Sequence, residues 1–274
     1  MFYWDHAYPS PEANLAFDEA ILEAMDTGES PSAGETGSLD DPQEWELLRL
    51  WEMPHRCVVI GRSSKIAQEV HVESCRRDGI PVLRRMSGGA SIVAGPGCLM
   101  FSLLISLNKR PSCRALDEAH REVMGRVREA VQAALVDAGL EMQVAIQGVC
   151  DLTIGNRKIS GNALRIKRHW MMYHGTVLVN MPLEWISEYL ATPPKRPEYR
   201  GDREHSRFVT SLAEQISQSD TTIERLRESI AREMITKWQA HRGWHEHPFA
   251  AQADQAVSEW MIKRYANAAW HAQR

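Results

Sequence analysis

A pair of arginines followed by a run of small residues has the means to bind an anion. The segment reads RRMSGGASIV and begins at Arg84. Glycines let backbone N–H groups approach a ligand closely, and an arginine offers a planar fork of donors to phosphate or carboxylate oxygens. The segment therefore predicts a site for an activated acyl phosphate, made by Arg84, Arg85, Ser87, Gly88, Gly89 and Ala90. The competing interpretation, a tight surface turn with solvated arginines, is the commoner meaning of an isolated Ser-Gly-Gly.

A second segment, CDLTIGNRKISGNA from Cys150 onward, places a lysine and an aspartate in a predicted hairpin with its turn at residues 155–156. Lys158 on a strand is a fixed point charge, suited to neutralising a developing oxyanion or an α-phosphate. Asp151 offers the kind of oxygen ligand that Mg²⁺ uses. The alternative is an exposed hairpin with a solvated Arg-Lys pair.

A third segment, HGTVLV, begins at His174. The small Gly175 leaves room beside the imidazole for a ligand, and the His174 ring can hydrogen-bond a phosphate. A single histidine in such a run is more often a structural residue, so both interpretations stand at this point.

The elements that position these segments follow from hydrophobic periodicity. Helices are predicted from Ser10 to Met25 and over residues 115–140, 183–190, 222–238 and 257–270, and strands over 47–51, 57–61, 80–84, 99–106, 142–146, 152–154 and 176–179. Strands dominate the middle of the chain and no regular βαβα alternation occurs. The pattern predicts an α+β fold with a mixed, mostly antiparallel sheet flanked by helices.

Composition limits the function classes. The 274 residues carry a net charge of -4, which gives no global basic field for nucleic acid. Five cysteines without a CxxC pair disfavour a disulfide framework and indicate a reducing compartment. Neither a signal peptide nor an apolar run long enough for a bilayer is evident. We therefore expect a cytoplasmic protein that binds neither nucleic acid nor membrane.

Taken in order, the motifs resemble one family. RRMSGGASIV, GNRKISGNA and HGTVLV are similar to the signatures of the lipoate–protein ligase A and octanoyltransferase family, the biotin/lipoate protein ligase catalytic domain. PEANLAFDEAIL, LRLWEMPHRCVVIGR and EVHVESCRRDGIPVLRR resemble the segments that precede those signatures. The six segments cover roughly residues 10–215.

The resemblance implies a fold and a reaction. Ligases of the family use ATP and Mg²⁺ to convert lipoate or octanoate into an acyl-adenylate, which a lysine of a lipoyl carrier domain then attacks. The implied carriers are 2-oxoacid dehydrogenase E2 or glycine cleavage H-type proteins, with acyl carrier protein or a separate accessory subunit as further partners. The resemblance assigns catalysis to Lys158, a metal ligand to Asp151, and binding to Arg84, Arg85, Ser87, Gly88, Gly89, Ala90, Asp151, Ser160, Gly161, His174, Gly175 and Thr176.

The sequence departs from the family pattern at several positions. Ala90 replaces the third glycine, and its methyl group either closes the backbone approach to a ligand or, with a negative φ, costs nothing. Residues 93–96 replace a His-Asp pair, and residues 63–65 replace a Gln-Asn pair. Two alternatives follow: an ATP-independent transferase with Cys150 as a catalytic acyl acceptor, and a non-catalytic lipoate-binding relative. Cysteine-dependent octanoyltransferases of the superfamily place their nucleophile several residues further upstream than Cys150.

The domain prediction is a single catalytic domain over residues 1–274, with a mobile loop at 26–45 and no separate accessory C-terminal domain. A basic, proline-rich segment at residues 193–203 is predicted to be a solvated loop or a segment that docks a carrier or caps the substrate. Three histidines between residues 241 and 247 give only a weak indication of a metal site.

Overall fold

A computed structural model of the protein describes residues 1–28, 44–216 and 220–273. The strands are β1 (Phe2–Asp5), β2 (Leu47–Trp51), β3 (Cys57–Ile60), β4 (Val82–Arg84), β5 (Ile92–Ala94), β6 (Cys98–Ser106), β7 (Val144–Gln147), β8 (Asp151–Ile154), β9 (Arg157–Ser160), β10 (Asn162–Ile166), β11 (Trp170–Leu178) and β12 (Arg242–Gly243). The α-helices are α1 (Pro11–Thr27), α2 (Ile66–Glu69), α3 (Val72–Arg77), α4 (Leu116–Asp137), α5 (Glu184–Tyr189), α6 (His205–Phe208), α7 (Leu212–Ile216), α8 (Asp220–Trp238), α9 (Ala253–Trp260) and α10 (Ala268–Ala272).

The largest sheet has six strands in the order β10-β11-β6-β2-β1-β12. Pairing is antiparallel from β10 through β2, and β1 then runs parallel to both β2 and β12. Two smaller sheets, β4-β3-β5 and β7-β8-β9, carry the arginine segment and the lysine hairpin. The predicted mixed, mostly antiparallel sheet flanked by helices is confirmed.

The long strand β6 explains why helices cover both faces of the large sheet. All nine of its residues are buried, and successive side chains of a strand point to opposite faces. Phe101 and Leu103 therefore enter a core with α4 and α8, whereas Met100 and Leu104 enter a second core with α1 and α9. No helix among the described residues is long and apolar enough to cross a bilayer.

Helix α1 begins as the sequence predicts. The Ser10 side chain caps it by accepting a hydrogen bond from Ala13 N at 3.2 Å, and Pro11 occupies the first helical position. The helix runs to Thr27, two residues beyond the predicted end. Most of the loop predicted over residues 26–45 lies outside the described residues, although Trp45 at its far end is only 4% exposed.

The strand predicted over residues 176–179 is longer than the sequence pattern indicates. Strand β11 begins at Trp170, so His174 and Gly175 lie within a buried strand. The polar His174 and the glycine interrupt the apolar pattern there because His174 faces a cavity and Gly175 is crowded by the side chains of Asn162 and Phe101.

Candidate active site

Two connected cavities meet at the hairpin formed by β8 and β9. The first is lined by Leu15, Asp18, Trp51, Val59, Arg85, Ala90, Ser91, Ile92, Met100, Lys158, Gly161, Asn162, Ala163, His174, Gly175 and Thr176. The second is lined by Ala90, Ser91, Ile92, Val93, Lys158, Gly161, Thr176, Leu178, Ile186, Leu190, Pro193, Lys195, Pro197, Arg200, His205, Phe208 and Val209. Four predicted site residues line both cavities and are brought together where the cavities join, namely Ala90, Lys158, Gly161 and Thr176.

The side chain of Lys158 is held by an aspartate on the neighbouring strand. Its Nζ atom lies 2.8 Å from Oδ1 of Asp151, and the Tyr199 hydroxyl donates to the other oxygen, Oδ2, at 2.8 Å. A Cβ added at Gly161 would lie 3.0 Å from Nζ, so the glycine leaves space for the ammonium. The ammonium of Lys158 is thereby fixed at the junction of the cavities.

His174 belongs to a chain of polar groups under the first cavity. Ser87 Oγ lies 2.5 Å from His174 Nε2, and His174 Nδ1 lies 3.4 Å from Oδ2 of Asp18. Asp18 Oδ2 also accepts from the Ser102 hydroxyl at 2.7 Å, and its Oδ1 faces the buried Arg49 at 3.3 Å. Both ring nitrogens of His174 have partners, so a ligand can contact only the faces and C–H edges of the ring.

Arg85 shapes the Ser-Gly-Gly loop. Its Nε donates to Ser87 Oγ at 3.0 Å, and its Nη atoms donate to the carbonyls of Val59, at 3.3 Å, and Ala90, at 3.0 Å. Burial lowers the pKa of Arg85 to about 10, which leaves it charged at neutral pH. Since the guanidinium also lines the first cavity, Arg85 both orders the loop and offers positive charge to a ligand.

Arg84 points away from both cavities. It is fully buried, and its guanidinium donates to backbone carbonyls of Gly61 and Ser64, each at 2.9 Å, and of Trp270 at 3.3 Å. The Trp270 indole in turn donates to the Arg84 carbonyl at 2.9 Å. Arg84 thus joins the C-terminal segment to the backbone of residues 61–64. Its predicted contact with a ligand stays a prediction.

Backbone conformation answers the question raised by the alanine in the loop. Gly89 has a φ of 88°, which favours glycine, whereas Ala90 is not among the described residues with a positive φ. The Ala90 methyl group therefore imposes no backbone strain, and Ala90 lines both cavities. Gly88 and Gly89 line neither cavity, although Gly88 and Ala90 each offer a carbonyl to Arg85.

Gly175 is required by close packing between strands. An added Cβ would lie 1.7 Å from Oδ1 of Asn162 on β10 and 2.7 Å from Cζ of Phe101 on β6. Asn162 Nδ2 donates to the carbonyl of Cys150 at 2.6 Å and to the hydroxyl of Ser160 at 3.0 Å. Ser160 is therefore a buried support for the site and does not line either cavity.

Cys150 lies behind the lysine hairpin and lines neither cavity. Its thiol donates to the Asn162 carbonyl at 3.4 Å. Burial, with a smaller effect of the neighbouring Asp151 charge, raises the pKa of the thiol to about 11. At neutral pH the group is a thiol, which is a poor nucleophile.

The donor set for a metal is small. Among residues 1–28, 44–216 and 220–273, no group of three or more histidine, cysteine, aspartate or glutamate side chains is placed to hold a metal ion. Asp151 is a single carboxylate facing Lys158. Mg²⁺ often binds through one or two carboxylates together with phosphates and waters, so Asp151 fits that mode only with a phosphate ligand present.

The sequence patterns missed several residues of the site. Four residues of the site were not predicted to act there, namely Asp18, Asn162, Tyr199 and Arg200. Asp18 stands in the helix segment PEANLAFDEAIL, and Tyr199 and Arg200 stand in the basic segment 193–203. The helical spacing of Asp18 among buried apolar residues is the signal that marks it, because a carboxylate on a buried face needs a partner.

Comparison with known proteins identifies similar chains. Residues 10–235 match the family model of the lipoyl protein ligase A/B catalytic domain. A candidate lipoate-protein ligase A of Aeropyrum pernix is 30% identical over 170 residues, which are 62% of this chain and 54% of that protein, so the chain spans about half of that relative's length. The octanoyltransferase LipM of Geobacillus kaustophilus is 23% identical, with 95% of this chain and 97% of that protein covered.

A solved structure shares the fold. It is the bi-partite lipoate protein ligase of Thermoplasma acidophilum, studied with its E2 lipoyl domain. It superposes with a TM-score of 0.71 at 20% identity, over 100% of this chain and 97% of that one.

Proposed function

Since the chain belongs to the lipoyl protein ligase A/B catalytic domain family, we propose that it attaches a lipoyl or octanoyl group to a lysine of a lipoyl carrier domain through an acyl-adenylate. The observation that carries this proposal is the position of Lys158, which lines both cavities at their junction. An acyl group in one cavity and a phosphate in the other would meet at its ammonium.

Apolar side chains line both cavities, so the division rests on their charges: Asp18 lies among the charged side chains of the first, whereas those of the second are all basic. Apolar side chains of Leu15, Val59 and Met100 line the first, which suits a medium-length acyl chain. The second is lined by Lys158, Lys195, Arg200 and His205, and no described acidic side chain lines it. An anion is favoured there, and ATP supplies one.

In the first half-reaction, a carboxylate oxygen of lipoate or octanoate attacks the α-phosphate of ATP, and pyrophosphate leaves. Lys158 would offset the negative charge on the phosphoryl oxygens. In the second, the ε-amine of the carrier lysine attacks the acyl carbonyl, an amide forms and AMP leaves. Lys158 then faces the developing carbonyl oxyanion. Asp151 is the residue that would hold Mg²⁺, which supplies positive charge to the phosphates when bound.

The carrier is proposed from the chemistry of the product and from the Thermoplasma relative, which is paired with an E2 lipoyl domain. E2 and glycine cleavage H-type proteins are the candidate carriers, and an accessory subunit is a further candidate partner. The alternative functions proposed from the sequence are transfer from acyl carrier protein through Cys150 and non-catalytic binding. The similarity to an octanoyltransferase favours the transfer route, whereas the raised thiol pKa and the position of Cys150 outside both cavities disfavour it.

The proposal is tested by incubating a purified lipoyl domain with the protein, Mg²⁺ and octanoate or lipoate, with and without ATP, and separately with octanoyl carrier protein. Intact-mass spectrometry should show acylation of the lipoyl domain only when ATP is present with the free acid. Acylation from the carrier protein without ATP would replace the ligase proposal with the transferase. Acyl-acid binding without acylation under any condition would leave the non-catalytic relative.

A further inference from the structure

The guanidinium of Arg200 is buried without an acidic partner. Arg200 ends a short 3₁₀ turn, Glu198–Arg200, in the basic segment 193–203, and it is only 3% exposed. Its Nε donates to the carbonyl of Arg203 at 3.0 Å, and its guanidinium lies over the Phe208 ring at 4.7 Å. Its Nη2 atom is buried and has no hydrogen-bond partner. The Nε donor and one face of the guanidinium therefore have partners, whereas the Nη2 donor has none.

The charges around Arg200 make this arrangement unfavourable without a ligand. Among the residues that the structure describes, no carboxylate lies within 4.0 Å of its guanidinium nitrogens. Arg196 and Arg203 are close enough to lower the pKa of Arg200, and burial lowers it further as the largest cause. Buried charges are almost always paired, since an ion removed from water needs a counter-charge. None of the described residues supplies that counter-charge to Arg200.

The position of Arg200 shows where an anion would bind. Arg200 lines the second cavity, which has a volume of about 120 Å³, together with Lys158, Lys195 and His205. Burial lowers the pKa of His205, so this ring is neutral at pH 7, and its one N–H is donated by Nε2 to the Ala191 carbonyl at 3.2 Å. Three permanent cations therefore face one space, and Lys158 already has an ion pair with Asp151. A carboxylate would neutralise only one of them, whereas a phosphate or a chain of phosphates carries the charge and the oxygens for several.

We propose that Arg200 is a phosphate-binding residue of the second cavity, with its unpartnered Nη2 donating to a phosphoryl oxygen. The inference rests on the proposed function, which makes this phosphate part of ATP. It extends that proposal by naming a residue that the sequence motifs do not contain. Arg200 would hold the nucleotide from segment 193–203, whereas Lys158 would hold it from β9.

The test compares Arg200→Met with Arg196→Met in the full chain. Methionine keeps an unbranched apolar side chain and removes the guanidinium that lies over Phe208. Arg196 lies in the same segment, but its side chain is 38% exposed and pairs with Asp202 at 3.5 Å, so this variant is the matched control for loss of one loop charge. Thermal unfolding and calorimetric titration would be measured with ATP, with pyrophosphate and with adenosine, which lacks phosphate.

We expect ATP and pyrophosphate to raise the unfolding temperature of the wild-type protein and adenosine to have little effect. Arg200→Met should weaken both phosphate ligands by about tenfold or more, the scale of one charge-assisted hydrogen bond. Its own unfolding temperature without ligand should not fall, because the variant removes an unpaired buried charge. Arg196→Met should behave as the wild type. Arg200→Lys, which keeps the charge and loses the fork, should show an intermediate loss of affinity.

The opposite pattern overturns the inference: a lower unfolding temperature in Arg200→Met and Arg200→Lys with unchanged affinities would make Arg200 a structural residue. Loss of pyrophosphate affinity with unchanged ATP affinity would support the phosphate site and assign it to the free anion. If the wild-type protein bound pyrophosphate through Arg200 but acylated no lipoyl domain with ATP, the proposed ligase function would fail and the phosphate site would stand.

Discussion

The Nζ atom of Lys158 lies 2.8 Å from Oδ1 of Asp151, and the opposite oxygen of that carboxylate accepts the Tyr199 hydroxyl. The pair joins neighbouring strands of a small sheet to the basic segment 193–203. A ligand that binds the Lys158 ammonium would therefore compete with the same carboxylate that accepts the Tyr199 hydroxyl of this segment.

Replacing Lys158 with alanine should reduce ATP-dependent acylation of a lipoyl domain by about 10²- to 10³-fold, the usual effect of removing one charge-stabilising donor from an active site. The reason is the loss of the ammonium that lines both cavities. Initial rates from intact-mass spectrometry measure the effect. The control is Lys167→Ala, which removes a lysine paired with Glu23 at 2.8 Å away from the cavities. Equal rates for the two variants would rule out a catalytic Lys158.

Replacing Cys150 with serine should leave ATP-dependent acylation within about twofold of the wild-type rate. Burial raises the pKa of the thiol to about 11, so only about one molecule in ten thousand carries a thiolate at pH 7. Alkylation by iodoacetamide should be slow at neutral pH and accelerate as the pH rises toward 11. Loss of acylation in Cys150→Ser, with rapid alkylation at pH 7, would favour the thioester route.

Replacing Gly175 with alanine should destabilise the protein by about 1–3 kcal/mol, as is typical of overpacking. The new methyl group would collide with Asn162 Oδ1 and with Phe101 Cζ, which are 1.7 Å and 2.7 Å from its position. Urea unfolding measures the change. Gly125→Ala is the matched control, because nothing lies within 4 Å of its added Cβ and it sits within α4. That variant should gain about 0.5–1 kcal/mol in stability. Equal stabilities would show that the Asn162 side chain moves aside freely.

We expect the buried His247 to lower the free energy of unfolding as the pH falls. Burial lowers the pKa of His247 from 6.5 to about 4, and its two ring nitrogens bond the Trp45 carbonyl at 3.0 Å and the Phe249 N–H at 3.1 Å. The unfolded chain takes up this proton below pH 6.5 and the folded chain only near pH 4. The contribution is therefore complete above pH 6.5 and is lost as the pH falls to about 4, by roughly 3 kcal/mol.

Urea unfolding at several pH values, with His247→Gln, checks this sign. Glutamine has a donor and an acceptor but no charge to gain, so the variant should lose part of the pH dependence between 6.5 and 4. His245→Gln is the control, since the His245 side chain is 85% exposed. A pH profile of His247→Gln identical to that of the wild type would assign the acid sensitivity to other groups.

Local patterns predicted much of the fold. The strand predicted over residues 99–106 is observed as Cys98–Ser106, and the helix predicted from Ser10 begins at Pro11. Both follow from short-range rules, namely an apolar run and a serine-proline start. Strand β11 was predicted too short, because the polar His174 and the glycine break its apolar run for reasons that lie in other strands.

The sequence by itself determined which segments carry the chemistry, since the motifs around Arg85, Lys158 and His174 are contiguous and their residue types are visible in one stretch. Only the tertiary structure decided which residues line the cavities and which support them. Arg84 donates to the Trp270 carbonyl, 186 positions away, whereas the segment 193–203 supplies Arg200 to the second cavity and the Tyr199 hydroxyl to Asp151. The physical reason is that a buried polar group must find its partner in space, and the partner's distance along the chain leaves no local pattern to read.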